Sequence, residues 1–295
     1  MQRGNPANRI VWQLSGARLI AIFVAAAWTG AAEAAPAVDN VLFAPHRAVY
    51  ELKLAKARGG RRIDGVSGRI VYDFSGSACE GYSLQFRQVS ALEVGEGRPL
   101  TSDMRATSWE AGDAKSFRFH SENRTEDGPA AAIEGSAERK AAALTARLVK
   151  PHEKNISLPD AAVFPTEHMR RIVIAASEGK SILEFPVYDG SETGEKVFNT
   201  LTVIGRTIAA GAKPPSDAIS GAPQFMKLTR WPVTISYFDP RDPTNEQTGE
   251  QTPVYAISFE LYENGVSRAL KLDYPDFTIS GELTSLDMKK EKPCP

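Results

Sequence analysis

Apolar and polar residues alternate with a period of two along much of the chain. In Val49 to Leu54 the apolar residues Tyr50, Leu52 and Leu54 alternate with Glu51 and Lys53, the pattern of a strand with one buried face. Arg69 to Phe74 and Tyr82 to Arg87 repeat it, Phe117 and Phe119 flank Arg118 in a further strand, and Leu144 to Leu148 supplies another. Gly59-Gly60, Gly65, Gly68 and Gly76 read as punctuation between runs, at hairpin spacing. Strands joined in sequence by short turns form antiparallel meanders.

The pattern changes in the middle of the chain. Residues 150–165 carry three prolines and read as a crossing loop. From there Met169, Ile172, Val173 and Ala176 recur at helical spacing, with Thr166 placed as the cap, Glu167 in the first turn and Gly179 as the stop. This helix is expected to cover an end or an edge of the sheet. Strands resume over Ile182 to Tyr188, Lys196 to Ile204 and Phe225 to Phe238. Pro186 and Pro232 mark edges or bulges, because proline donates no ladder hydrogen bond. Gly211 to Ser216 reads as a mobile loop. Val254 to Tyr262, Glu263-Asn264-Gly265 and Val266 to Tyr274 form the clearest hairpin, and a last strand runs from Phe277 to Leu286. The expected class is all-β, a many-stranded antiparallel sheet with one short helix.

The amino terminus has a different logic. Arg3, Arg9 and Arg18 precede the apolar run Leu19 to Trp28, which is half the length of about 20 residues that a membrane-spanning helix needs. Small residues at Ala32 and Ala34 then fit a signal-peptidase site, so residues 1–34 are expected to be cleaved between Ala34 and Ala35. No cysteine follows for acylation, and the mature chain is expected to be exported and soluble. It forms a single strand-rich domain over residues 35–295, in two meandering halves joined by the loop and helix of residues 150–180.

Charge and cysteine content narrow the function classes. Loss of Arg3, Arg9, Arg18 and Glu33 takes the formal net charge from −1 to −3, which gives no electrostatic basis for nucleic-acid binding. The two cysteines, Cys79 and Cys294, permit one bridge, two free thiols or a link between subunits.

Catalytic patterns fail at identifiable positions. His152-Glu153-Lys154-Asn155-Ile156 has isoleucine where a zinc-protease motif needs its second histidine. Gly190-Ser191-Glu192-Thr193-Gly194 has glutamate where a nucleophile elbow needs serine, and Gly95-Glu96-Gly97 lacks the rest of a dinucleotide loop. The oxygen-rich loop Asp239 to Glu246 is interrupted by two prolines and Arg241, so it reads as a hairpin tip rather than a calcium site. No metal, cofactor or catalytic residue is assigned. Arg47, beside His46 before the first strand, is the candidate for contact with an anionic headgroup or peptide carboxylate. Trp231 is the candidate to line a cleft with the row Tyr255, Ile257, Phe259 and Leu261, although all of these also fit a core.

Several segments, in order, carry a family resemblance: Ala44 to Tyr50, Gly68 to Phe74, Cys79-Glu80-Gly81-Tyr82, Trp231-Pro232-Val233, Ile257 to Arg268, and Cys294. They resemble the EipB family, periplasmic cell-envelope integrity proteins of alphaproteobacteria formerly catalogued as a domain of unknown function. The resemblance implies a sheet wound into an open spiral or barrel-like body, a Cys79–Cys294 disulfide, a periplasmic location and a role under envelope stress. It also implies a tetratricopeptide-repeat protein as partner. The expectation is therefore a non-enzymatic envelope protein that binds a protein partner. The alternatives are a carrier or sensor of a lipid or lipoprotein acyl chain, and a cell-wall glycan hydrolase.

Overall fold

The computed structural model describes residues 41–290, except 59–62, 127, 129, 142, 220, 221 and 242–250, together with Cys294. The expected leader and its Ala34/Ala35 junction lie outside the described residues, as do Gly59-Gly60 and the end of the Asp239 loop.

Eight strands form the first meander: β1 (His46–Ala57), β2 (Ile63–Ser77), β3 (Gly81–Val94), β4 (Leu100–Glu110), β5 (Ser116–Thr125), β6 (Ala131–Lys140), β7 (Ala143–Lys150) and β8 (Lys154–Leu158). The helix α1 (Pro165–Ser177) follows. A second meander comprises β9 (Ile182–Val187), β10 (Phe198–Ile204), β11 (Arg230–Phe238), β12 (Tyr255–Tyr262), β13 (Ser267–Asp273) and β14 (Phe277–Met288). Pairing of β1 with β14 merges the two into one 14-stranded antiparallel sheet, whose edge strands are β8 and β9.

The sheet is rolled. One core cluster joins Phe74 and Tyr82 of β2 and β3 to Trp231, Val233 and Ile235 of β11 and to Phe259 and Leu261 of β12. Four strands separate β2 from β11 in the sheet order, so these inner faces meet only by curvature. Helix α1 fills the space between them with Ile172, Val173, Ala175 and Ala176, and packs on β9 and β10. The sheet does not close into a full ladder at its edges. Instead Val163 forms a single parallel bridge with Val187, its N–H donating to Pro186 O at 2.9 Å.

Strict alternation located its strands correctly: in β1, Ala48, Tyr50 and Leu52 are buried while Arg47 and Lys53 are exposed. The hairpin is also as expected, with Gly265 at φ +85° in the turn, where a side chain would be strained and would meet Phe43.

Several local expectations need correction. Gly65, Gly68 and Gly76 do not punctuate; they lie inside β2, which is 15 residues long. Strands β4 and β6 gave no alternation signal, because their inward positions hold small residues such as Ala106, Ser108, Gly135 and Ala137. Space explains this in β6: a Cβ on Gly135 would stand 2.7 Å from Phe119 Cζ and 2.8 Å from Arg147 O. The loop expected over residues 150–165 contains the edge strand β8. The run from Phe225 begins as a 3-10 turn, Pro223–Lys227, and becomes strand only at Arg230. Pro186 does sit in an edge strand, but Pro232 is in the interior strand β11. It is tolerated there because the β10 ladder ends beside it, at Ile204↔Val233.

The helix cap also differs. Phe164, not Thr166, is the N-cap, with no side-chain cap of its own, and Pro165 supplies a first turn that needs no N–H. The missing acceptor comes from β4: both Glu110 carboxylate oxygens take helix N–H groups, from Thr166 and Glu167, each at 2.7 Å. Burial pushes the Glu110 carboxyl up to about 7, against the lowering effect of those two N–H groups. At the other end Gly179, at φ +77°, lets Lys180 N–H return to Ala175 O at 2.9 Å.

Candidate functional site

The residues singled out in the sequence are placed very differently from one another. Cys79, in the turn between β2 and β3, is disulfide-bonded to Cys294, with the Cα atoms 5.7 Å apart. Lys289 reinforces that attachment by pairing with Asp73 on β2. Arg47 is exposed on the outer face of β1, with Asp73 and Asp287 as its cross-strand neighbours, and makes no ion pair among the described residues. Its neighbour His46 turns inward, donates Nδ1–H to Ala44 O at 2.7 Å and stacks on Tyr72. Trp231 is 4% exposed in the main core, its indole N–H on Thr207 Oγ1 at 3.0 Å. No contact joins Arg47 to Trp231. The chain's chemistry is not assembled around either.

Asp239 is buried and held by Lys196 at 2.7 Å. Among the described residues no group of His, Cys, Asp and Glu side chains is arranged to hold a metal ion. His168 is buried against Phe185, and burial takes it down to about 4, so it is neutral at physiological pH.

What remains is the inner face of the sheet beyond the filled core, whose half-buried inward residues outline a hollow. Register defines its first wall. Gln88 stands opposite the buried Ile70, Met104 opposite Gln88, Phe86 opposite Ala106, and Ala106 opposite Ser121, so all of these point inward. They are only half-buried, unlike the inward residues of β1. The second wall is an aromatic row. Phe198 meets Tyr237 edge-on at 6.1 Å, Tyr237 stacks on Tyr255 at 4.6 Å, Tyr255 lies 6.3 Å from Tyr274, and Tyr274 stacks on Phe277 at 4.9 Å. Tyr237, Tyr255, Tyr274 and Phe277 are again half-buried. The walls meet on one cluster, where Phe86 and Leu92 of β3 pack beside Tyr274 and Phe277 around Leu52, Ile63 and Leu272.

The chemistry of this hollow is apolar with neutral polar groups. Burial raises the phenols of Tyr237, Tyr255 and Tyr274 above their ordinary range, so they stay protonated. None of the three hydroxyls has a hydrogen-bond partner among the described residues. Such a surface leaves large apolar side chains in partial contact with water and phenols ready to hydrogen-bond, the makeup of a ligand cleft rather than of a solvated face. A depression of about 460 Å³ on β6 to β8 is of the other kind: Ser136, Glu138, Thr145, Arg147, Asn155 and Ser157 line it with exposed polar groups of the outer face.

Of the expected row on β12, Phe259 and Leu261 are core while Tyr255 and Ile257 are half-buried. The tyrosines 237 and 274 gave no separate signal. Alternation distinguishes inner from outer positions, but only the approach of the opposite wall distinguishes filled from unfilled space.

A family model described as EipB-like matches residues 37–290 of the chain. The chain is 37% identical over 261 residues to the Cell envelope integrity protein EipB of Brucella abortus (strain 2308), a match spanning 88% of this chain and 90% of that protein. Among solved structures, a beta-barrel-like protein of a domain of unknown function, DUF1849, also from Brucella abortus, is similar at a TM-score of 0.75 and 34% identity. That match covers 85% of this chain and 100% of the other.

Proposed function

The chain belongs to the EipB-like family, and on that basis we propose that it supports cell-envelope integrity as a non-catalytic binding protein that holds the apolar chain of an envelope amphiphile in the hollow of its sheet. The half-buried aromatic row Tyr237, Tyr255, Tyr274 and Phe277, whose last two members share a cluster with Phe86 and Leu92 of β3, carries this reading. Export to the periplasm is part of it, as is the absence of chemistry at the site. No helix among the described residues is long and apolar enough to cross a membrane. A carrier needs a donor and an acceptor, and a tetratricopeptide-repeat protein of the kind implied by the resemblance is proposed for one of those roles.

The test is a chain-length series. Each methylene removed from water contributes about 0.8 kcal/mol, so neutral alkyl glucosides should tighten about fourfold per added carbon until the hollow is full. Displacement of N-phenyl-1-naphthylamine, measured below the micelle concentration, reports this. Affinities independent of chain length would rule out the hollow as an acyl site.

A further inference from the structure

One block of the outer face leaves its hydrogen-bonding groups unspent. Elsewhere on that face outward side chains pair with one another: Arg69 with Glu51, Arg87 and Arg105 with Asp103, Lys150 with Glu134. On β6, β7 and β8 the register instead sets six outward side chains in a grid of two rows, Glu138–Thr145–Ser157 and Ser136–Arg147–Asn155. Ser136, Thr145, Asn155 and Ser157 make no side-chain hydrogen bond among the described residues. The two charged members are held only by exposed partners, Glu138 by Lys140 at 2.6 Å and Arg147 by Glu153 at 3.6 Å. Next to Ser136 on β5, Arg118 lies over the Trp109 ring at 5.2 Å, which steadies a further donor at the end of the second row.

The grid is also dished. A bulge between Glu134 and Gly135 bends the sheet beside it, and the six residues line the depression of about 460 Å³. A second depression of about 420 Å³ continues from the first, sharing Arg147 and Asn155 and reaching Glu153 and Lys154. Strand β8 is an edge of the sheet, so no further strand walls in this trough. Two strand spacings by two residues give the grid a footprint of about 10 by 7 Å, and the trough runs on beyond it along β8.

We propose that this trough is a second binding site, for a neutral, hydroxyl-rich oligosaccharide laid along β8 on the face of the sheet opposite the hollow. The mixed lining selects the ligand. Glu138 only accepts, Arg118 and Arg147 only donate, and the serine, threonine and asparagine side chains do both. A sugar hydroxyl donates and accepts at once, so an array of them satisfies every group in the grid. An anionic polymer would meet the carboxylates of Glu138 and Glu153, and an apolar chain would leave all of these groups without partners. The open edge at β8 suits an extended chain rather than a single enclosed sugar.

Three tetrasaccharides test the site: cellotetraose, chitotetraose and the acidic tetragalacturonate, each titrated into nitrogen-15-labelled protein and followed by amide chemical shifts. At least one neutral tetramer should bind, more tightly than tetragalacturonate, with the shifts confined to residues 134–158; which of the two binds tells whether an acetamido group is read. Arg147→Ala should weaken that binding about tenfold and Asn155→Ala about fivefold. Both side chains are exposed, so the thermal midpoint should not move. No binding of either neutral tetramer at millimolar concentration, preference for tetragalacturonate, or affinity that survives both substitutions overturns the proposal. None of these outcomes bears on the hollow, which faces the other way.

Discussion

Replacing Arg268 by alanine should destabilise the protein by about 3–5 kcal/mol, the cost of removing one partner from a buried ion pair. Arg268 is 0% exposed. Its guanidinium forks onto Asp217, Nε to Oδ2 at 2.7 Å and Nη2 to Oδ1 at 2.5 Å, and its remaining N–H groups reach Tyr262 Oη and Pro215 O, each at 3.1 Å. Alanine would leave Asp217 buried without a counter-charge. The damage would extend further, because Asp217 anchors a loop that inserts where β13 and β14 diverge, with Ala218 N–H donating to Leu283 O at 3.3 Å. That loop, read from sequence as mobile, is also fastened by Arg230, whose Nη2 donates to Lys213 O at 2.5 Å while its Nε meets Glu260 at 2.6 Å. Urea unfolding should show a lower midpoint with an unchanged slope, and proteolysis should begin at residues 211–219. Arg268→Lys should fall between, since a point charge cannot reproduce the fork. A loss below about 1 kcal/mol in Arg268→Ala would show that the pair is not structural.

Replacing Cys79 by serine should have the second-largest effect. The bridge spans a sequence separation of 215 residues, and restriction of the unfolded chain across such a loop is worth about 5 kcal/mol in the chain-entropy model, with native bridges giving about 2–5 kcal/mol. For a domain of this size the thermal midpoint should fall by on the order of 10 °C. The tail from Lys289 onward should become sensitive to protease, because among the described residues only the Lys289–Asp73 pair and the Lys289 N–H to Pro45 O bond then hold its start. The β-sheet circular-dichroism signal should persist. Two alkylatable thiols in the isolated protein, or a reducible dimer, would contradict an intramolecular bridge.

The sequence disclosed what depends on local periodicity and concealed what depends on distant approach. Tyr50, Leu52 and Leu54, or Val254 to Tyr262 with Asn264-Gly265 after them, declare strands because their own alternation fixes which face is buried. The helix was legible from Met169, Ile172, Val173 and Ala176, but its cap was not. The acceptor is Glu110, 56 residues before Thr166 in the chain, and no local motif announces it. The burial of Glu167, His168 and Arg170 on the same helix was equally hidden, because α1 lies between two walls rather than over one. Strands β4 and β6 escaped because small inward residues accommodate neighbours such as Phe119. For the site, Trp231 and Tyr255 looked alike as aromatic residues on adjacent strands. The former is core and the latter is half-buried, a difference set by where α1 and the first meander end within the curve.

The most direct test of the account is native mass spectrometry of the protein isolated gently from its own envelope fraction. We expect a population carrying a single amphiphile-sized adduct, lost in Ala106→Trp, which fills the hollow from the first wall, and retained in Val203→Trp on the exposed outer face of β10. A bare polypeptide mass in the unaltered protein, or an adduct that persists unchanged in Ala106→Trp, would contradict binding in the hollow.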